Sequence, residues 1–275
     1  TCMRPLSPEM KLRVASISKM ALAVALEPLI RAGKIDPDAD VSSYLGWTLR
    51  NPNFPDRPIT VRQLLAHTSS IRDPEEYWVG APAKFERLFE NPAAFAAAED
   101  GADRGPGAWF RYANLNYGIL AGVIEGVAGE RFDHYMTRVL FEPMGLDAGY
   151  NWSGVSREAR EAGAALHRRE EGLWRVSVDD AAMRLAEPAS FLAADGLDRA
   201  AYLTAYKPGD NPTLFSPQGG LRASVLDLGR IAQRLKGADA LTAPQWRYDP
   251  QKPNGDTEEE FFAAFGMGAQ IVRGS

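Results

Sequence analysis

The sequence predicts a protein of mixed α and β structure, in the α/β (α+β) class, and two observations carry this prediction. Two long apolar segments, residues 16–30 and 114–128, have the spacing of buried helices, whereas strand-like residues concentrate near the end, in 265–272. With 275 residues, 45% of them hydrophobic and 24% charged, the chain has the composition of an ordinary globular protein. It is long enough to bury a core and to leave room for a cleft.

The first apolar segment begins at Ser16 and is nonpolar nearly all round, which is typical of a helix buried on every side. Gly33 is well placed to end it. Pro28 lies inside the segment and cannot donate to the carbonyl four residues back, so we expect a kink or a break there. The second segment begins near Asn114 and keeps helical spacing until Gly129. Both segments predict core helices.

Shorter elements are assigned from their end signals. Thr60 is predicted as the N-cap of a short helix, and Ser224 as the N-cap of an amphipathic helix. Residues 132–140 continue a helical pattern that a proline–glycine turn closes. Residues 72–107 are polar and rich in glycine and alanine, and they predict a helical excursion on the surface.

Charge, cysteine content and histidine spacing exclude several kinds of function. A net charge of -5 offers no positive surface to phosphates, so we expect no nucleic-acid partner. The one cysteine, Cys2, cannot form an internal disulfide, and three widely spaced histidines form no metal site. We therefore expect no metal, and because the sequence has no Gly-x-Gly-x-x-Gly or other phosphate-binding loop we expect no cofactor. No stretch is long and apolar enough to span a membrane.

The compartment and the oligomeric state stay open at this point. The protein is periplasmic or secreted if a signal peptide has been removed, and cytoplasmic otherwise. The single cysteine does not decide between an oxidising and a reducing compartment, because disulfides cannot be formed within the chain in either case.

Ser16 and Lys19 are the candidate nucleophile and its base. Three residues of separation in a helix place their side chains on one face, one turn apart. A serine hydroxyl needs an adjacent base, and a lysine can serve only if burial or nearby positive charge lowers its pKa. Alone, this spacing is a weak signal. Tyr112 and Asn114 strengthen it, because they lie in a loop directly before a core helix, where loop residues face a cleft.

Five motifs occur in an order that is typical of one family. They are Arg13-Val14-Ala15-Ser16-Ile17-Ser18-Lys19, Leu64-Leu65-Ala66-His67-Thr68-Ser69-Ser70, Tyr112-Ala113-Asn114, Phe141-Glu142-Pro143-Met144-Gly145-Leu146 and Gln218-Gly219-Gly220-Leu221-Arg222-Ala223-Ser224. With them the chain resembles the serine beta-lactamases and penicillin-binding proteins. Within that family it resembles the branch of class C beta-lactamases, D-alanyl-D-alanine carboxypeptidases, D-aminopeptidases and family VIII esterases.

The resemblance implies an antiparallel sheet flanked by helices, beside a mostly helical domain. Residues 1–34 and 210–275 would form the sheet-containing region and residues 35–209 the mostly helical one, with the active site between them. The Lys-Thr-Gly or His-Thr-Gly motif of the family is not present in the sequence. About fifteen residues precede the nucleophile and the sequence stops at Ser275, so we expect a sheet that is incomplete at both ends.

The resemblance also implies roles for individual residues. Ser16 would be acylated, with its backbone N–H as the first oxyanion donor, and Lys19 and Tyr112 would exchange its proton. Asn114 would bind the substrate amide or steady Lys19. Gln218 is expected to border the cleft as a substrate-binding residue, although packing explains it equally well. No metal ligand is implied.

The expected function is that of a cofactor-independent serine hydrolase that forms an acyl-enzyme. Its substrate would be a small molecule or a peptide with an amide, beta-lactam or ester bond, and the sequence does not choose among these. The alternative is a non-catalytic binding or scaffold protein with a penicillin-binding fold, which the absent third motif favours. His67 is expected to have a structural role rather than to belong to a Ser-His-Asp triad.

Overall fold

The computed structural model describes residues 5–98 and 102–272, and Cys2 lies outside them. The helices in these ranges are α1 (Ser18–Arg31), α2 (Ser42–Leu45), α3 (Val61–Leu65), α4 (Leu115–Ala128), α5 (Phe132–Met136), α6 (Arg157–Ala162), α7 (Ala181–Leu185), α8 (Arg199–Ala205), α9 (Val225–Gln233) and α10 (Asp239–Thr242). The strands are β1 (Leu12–Arg13), β2 (Gly149–Tyr150), β3 (Leu166–Glu170), β4 (Leu173–Val178), β5 (Leu221–Ala223), β6 (Trp246–Arg247) and β7 (Ala264–Phe265). The predicted mixed α and β class is confirmed.

Helix α1 is the first predicted core helix, and most of its side chains are buried. Gly33, with a φ of +68°, follows its end, as predicted. Of the kink or break expected at Pro28, the break is wrong, because the helix continues through this residue to Arg31. Pro28 removes only one hydrogen bond close to the end of the helix, and its own carbonyl still accepts the N–H of Ala32 at 3.0 Å.

Helix α4 is the second predicted core helix and is buried from Leu115 to Glu125. It ends at Gly129, which has a left-handed φ of +66°. Gly126 brings α2 and α4 together, because a Cβ at this position would lie 2.0 Å from the carbonyl oxygen of Tyr44. Only glycine allows this close approach of the two backbones.

The two predicted N-caps are confirmed. The hydroxyl of Thr60 accepts a hydrogen bond from the N–H of Gln63 at the start of α3, and the side-chain oxygen of Gln63 accepts one from the backbone N–H of Thr60. Ser224 and Asp227 form the same reciprocal pair at the start of α9. Each pair satisfies two N–H groups that the start of a helix otherwise leaves without partners.

Three short strands form an antiparallel sheet in the order β1-β5-β2, with Leu12 opposite Ala223 and Leu221 opposite Tyr150. The strand predicted over 265–272 is largely wrong. Only its first residue lies in a strand, β7, which pairs with β6. Gly268, with a φ of +97°, then turns the chain, so the apolar residues of this segment pack in a turn rather than in a ladder.

The prediction of a helical surface excursion at 72–107 is also wrong. The described part of this segment contains two short 3-10 turns, Phe85–Glu90 and Pro92–Ala94, and otherwise irregular chain. Phe85, Ala94 and Phe95 are buried in the main hydrophobic core. These anchors hold the segment inside the molecule, although its average composition is polar.

Candidate active site

Ser16 lies in a 3-10 turn, Ala15–Ile17, that joins β1 to α1. Ala15, directly before it, has a left-handed φ of +47°, which turns the chain sharply at the start of the helix. The N–H of Val14 donates to the carbonyl of Leu221 at 3.0 Å and ties the turn to β5. Ser16 itself is exposed. The position at a helix start favours negative charge near its backbone N–H, as an oxyanion requires.

Lys19 is buried beneath this serine, with 3% of its surface exposed. Its Nζ lies 3.1 Å from Ser16 Oγ, 2.8 Å from Asn114 Oδ1 and 3.0 Å from the backbone oxygen of Gln218. Burial lowers the pKa of Lys19 to about 7, and the charge of Asp73 opposes this shift. A large fraction of the amine is therefore uncharged at neutral pH.

Three acceptors surround Lys19 Nζ, so its contacts fit an ammonium that donates all three bonds and equally fit a neutral amine. Such an amine has two N–H donors and one lone pair, whereas an ammonium has three donors and no lone pair. The carbonyl oxygens of Asn114 and Gln218 can only accept, so in the neutral form they take the two N–H groups. The lone pair is then directed at the hydroxyl of Ser16. The geometry can therefore take the proton from the serine.

Tyr112 lies close to Ser16, whose side chain acts on the phenol through hydrogen bonding and lowers the pKa of Tyr112. Burial raises the pKa of Tyr112, and the bond to Ser16 opposes that rise only in part. Lys19 Nζ lies 4.8 Å from the centre of the phenol ring. The phenol is therefore protonated at neutral pH, which suits it to donate a proton while Lys19 accepts one.

His67 holds the loop that carries Tyr112. Its ring is buried and stacks on the Tyr112 ring, with 4.4 Å between ring centres. Its Nδ1 accepts the N–H of Ala113 at 3.1 Å and lies 3.1 Å from the side-chain nitrogen of Asn116. Burial, assisted by the charge of Lys19, lowers the pKa of His67 well below its usual value. These bonds give His67 the structural position that was expected.

Asp73 is a site residue that the sequence interpretation missed. Its Oδ2 accepts hydrogen bonds from the backbone and the side-chain nitrogen of Asn114, at 2.8 and 2.9 Å, and its Oδ1 accepts the N–H of Leu115 at 2.8 Å. The carboxylate thus caps α4 and turns the oxygen of the Asn114 amide toward Lys19. Asp73 is 41 residues from Asn114 in the chain, so no local pattern could reveal this contact.

Replacement of Asp73 by asparagine is expected to have two effects. The negative charge of Asp73 raises the pKa of Lys19. Its loss should therefore lower this pKa and move the acid limb of the pH profile of kcat/KM to lower pH. Loss of the bond that orients Asn114 should lower the plateau of kcat/KM by about tenfold. Asp38→Asn, at an exposed carboxylate paired with Arg62, is the matched control and should change neither. An acid limb that stays in place or moves to higher pH contradicts this role.

The structure brings the predicted residues Ser16, Lys19, Tyr112 and Asn114 into one cluster. Gln218 joins it through its backbone oxygen and is one of the residues that line the adjacent cavity. In residues 5–98 and 102–272, no group of three or more His, Cys, Asp and Glu side chains is arranged to hold a metal ion. In the same part of the chain, no helix combines the length and the apolar character needed to cross a bilayer.

Comparison with known proteins assigns the chain to a family. The sequence matches the beta-lactamase family over residues 2–274. It is 30% identical over 138 residues to protein flp of Staphylococcus aureus (strain N315), a match that covers 50% of this chain and 27% of that protein. The match therefore spans about a quarter of the relative's length.

Two solved structures have the same fold. One is EstCE1, described as a hydrolase with promiscuous acyltransferase activity, with a TM-score of 0.66, 21% identity and coverage of 98% of this chain and 71% of that chain. The other is a beta-lactamase/D-alanine carboxypeptidase from Yersinia pestis, with a TM-score of 0.64, 17% identity and coverage of 99% and 70%. The family match covers nearly the whole sequence, and the folds agree. The chain belongs to the beta-lactamase family.

Proposed function

We propose that this protein is a serine hydrolase that forms an acyl-enzyme on Ser16. The observation that carries the proposal is the contact of 3.1 Å between Ser16 Oγ and the buried amine of Lys19, whose pKa is lowered to about 7. The base is thus ready to accept a proton at the pH of most cells. The family, and the hydrolase descriptions of the two structural neighbours, support the same class of reaction.

In the acylation step, uncharged Lys19 takes the proton of Ser16 while Oγ attacks the carbonyl carbon of the substrate. The negative charge that develops on the carbonyl oxygen is stabilised by the N–H of Ser16 at the start of α1. Collapse of this intermediate breaks the bond to the leaving group, which takes a proton from the hydroxyl of Tyr112. The proton held by Lys19 then returns to Tyr112 through the hydroxyl network.

In the deacylation step, a water molecule attacks the acyl-enzyme. The neutral amine of Lys19 takes the proton of this water, directly or through Tyr112, and Ser16 Oγ recovers a proton as the acid product leaves. No carboxylate is required as the base in this scheme. The scheme therefore resembles that of the class C branch, where tyrosine and lysine together act as the base in deacylation.

The substrate is proposed to be a small molecule or a peptide with an ester, amide or beta-lactam bond. The site combines groups from three parts of the chain: the side chains of Ser16 and Lys19 from 1–34, the side chain of Tyr112 from 35–209 and the backbone oxygen of Gln218 from 210–275. This supports the proposal that the active site lies between a sheet-containing region and a mostly helical one. The exposed hydroxyl of Ser16 favours an enzyme over a scaffold, because a structural serine has no need of an accessible oxygen.

A substrate panel tests the proposal. Purified protein is incubated with nitrocefin, p-nitrophenyl butyrate and a D-amino-acid p-nitroanilide, and initial rates are compared with the spontaneous rates. Turnover of at least one substrate, with an acyl mass shift on the peptide that contains Ser16, is expected. A folded protein that turns over none of them and forms no adduct with a fluorophosphonate would favour the alternative, a non-catalytic binding or scaffold protein.

A further inference from the structure

A cavity of about 620 Å³ lies near the candidate nucleophile, although Ser16 itself is not among its lining residues. Arg13 and Gln218 line it, and both belong to the immediate surroundings of Ser16. Arg13 precedes Ser16 by three residues and donates its Nε to the carbonyl of Gly219 at 2.9 Å. The carbonyl of Gln218 accepts the amine of Lys19. A group attached to a reacting carbonyl at Ser16 would therefore enter this cavity by passing Arg13 and Gln218.

The walls of the cavity are mainly aromatic and aliphatic. Trp152, Phe191 and Leu214 form a buried side, whereas Trp78 and Leu192 are 41% and 56% exposed at the cavity. Exposed large apolar side chains that border a concave surface gain free energy when a ligand covers them. The volume lies in the range of cavities that bind small organic molecules, roughly 300–1,000 Å³. The cavity thus fits an extended apolar group.

The cavity also carries an excess of positive charge. Of its three arginines, Arg222 is neutralised, because it forms a buried ion pair with Asp179 at 2.6 Å. Arg13 and Arg199 each donate Nε to a backbone carbonyl, and neither has a carboxylate within 4.0 Å in the part of the chain that the structure describes. A guanidinium has further N–H groups in a planar fork that fits a carboxylate.

The position of Tyr112 indicates which part of the substrate enters the cavity. The leaving group has to receive a proton, and in the proposed mechanism the hydroxyl of Tyr112 donates this proton. Tyr112 does not line the cavity, whereas Arg13 and Gln218 do. The leaving group therefore faces Tyr112, and the acyl group faces the cavity.

We propose that this cavity binds the acyl group of the substrate and selects apolar acyl chains that end in a carboxylate, which Arg199 and Arg13 recognise. The inference rests on the proposed function of Ser16. It goes further by assigning a chemical class, the half-esters or half-amides of dicarboxylic acids, to the acyl side of the site.

The test compares two esters of equal chain length. One is mono-p-nitrophenyl suberate, with a free terminal carboxylate, and the other is its neutral methyl ester. The protein should hydrolyse the charged ester with a kcat/KM about tenfold higher or more, as expected for a charge-assisted hydrogen bond. Arg199→Gln should reduce this preference by about fivefold or more, and Arg199→Lys should restore part of it. Arg230→Gln, at an exposed arginine of α9 outside the cavity, should leave the preference unchanged.

The outcomes separate this inference from the function on which it rests. Hydrolysis of p-nitrophenyl acetate without any preference for the charged suberate overturns the carboxylate assignment and leaves the serine hydrolase standing. A preference that survives both Arg199→Gln and Arg13→Gln unchanged also overturns it. If no ester is hydrolysed and no adduct forms at Ser16, the proposed function itself fails.

Discussion

Replacement of Ser16 by alanine is expected to abolish covalent labelling by a fluorophosphonate and to lower kcat/KM by roughly 10⁴-fold or more. The reason is that the reaction needs an oxygen that can form a bond to the substrate carbonyl. Lys19 cannot replace it, because its amine is buried and two of its contacts are to carbonyl oxygens that take its N–H groups. Intact-protein mass spectrometry measures the adduct, and initial rates with the best substrate of the panel measure the loss.

Ser43→Ala is the matched control for this experiment. Ser43 is exposed and donates its hydroxyl to the carbonyl of Asp40, outside the cluster around Lys19. Labelling and kcat/KM should be unchanged in this variant. Undiminished labelling of the Ser16→Ala protein would show that another residue is the nucleophile and would end the assignment.

Much of the fold follows from local patterns in the sequence. Helices α1 and α4 are mostly apolar, and glycines with left-handed conformations, Gly33 and Gly129, follow their ends. The N-caps at Thr60 and Ser224 depend on bonds between residues three apart. Such features are fixed by neighbours in the chain, and for this reason they can be predicted without knowledge of the tertiary structure.

The sheet could not be predicted in the same way. Its strands β1, β2 and β5 contain two or three residues each, which is too short for an alternating pattern to be recognised. Their pairing joins residue 12 to residue 223 and residue 150 to residue 221. Only the tertiary structure specifies contacts of this kind.

In the candidate site, too, local relations can be predicted from the sequence and long-range contacts cannot. The relation of Ser16 to Lys19 is a helical spacing and is visible in the sequence. The role of Asp73 depends on a loop that returns to the start of α4, and the cavity arginines, Arg13 and Arg199, are brought together from distant parts of the chain. Composition suggested a surface segment around Asp73, but buried aromatic side chains further along hold that segment against the core.

Replacement of Lys19 by arginine or by methionine is expected to lower kcat/KM by roughly 10²–10⁴-fold, the range for loss of a general base. Arginine keeps the positive charge but is never deprotonated in a protein, so it cannot accept the proton of Ser16. Methionine removes both the charge and the base. In the unmodified protein kcat/KM should rise with pH through about 7, where Lys19 loses its proton, and this limb should disappear in both variants.

The stability of the Lys19→Met protein provides a readout that does not depend on activity. The pKa of Lys19 is about 7 in the folded protein, below its ordinary value of 10.5, so between these values the folded state binds fewer protons than the unfolded state. The free energy of unfolding contributed by Lys19 therefore increases as pH rises from 7 toward 10.5, and it is least favourable below pH 7. Methionine removes this dependence. The stability of Lys19→Met relative to the unmodified protein should thus be greatest at or below neutral pH and should decline as pH rises, which urea unfolding can measure. A difference that is constant across this range would mean that the amine keeps its ordinary pKa in the fold, and Lys19 could then not be the base that activates Ser16.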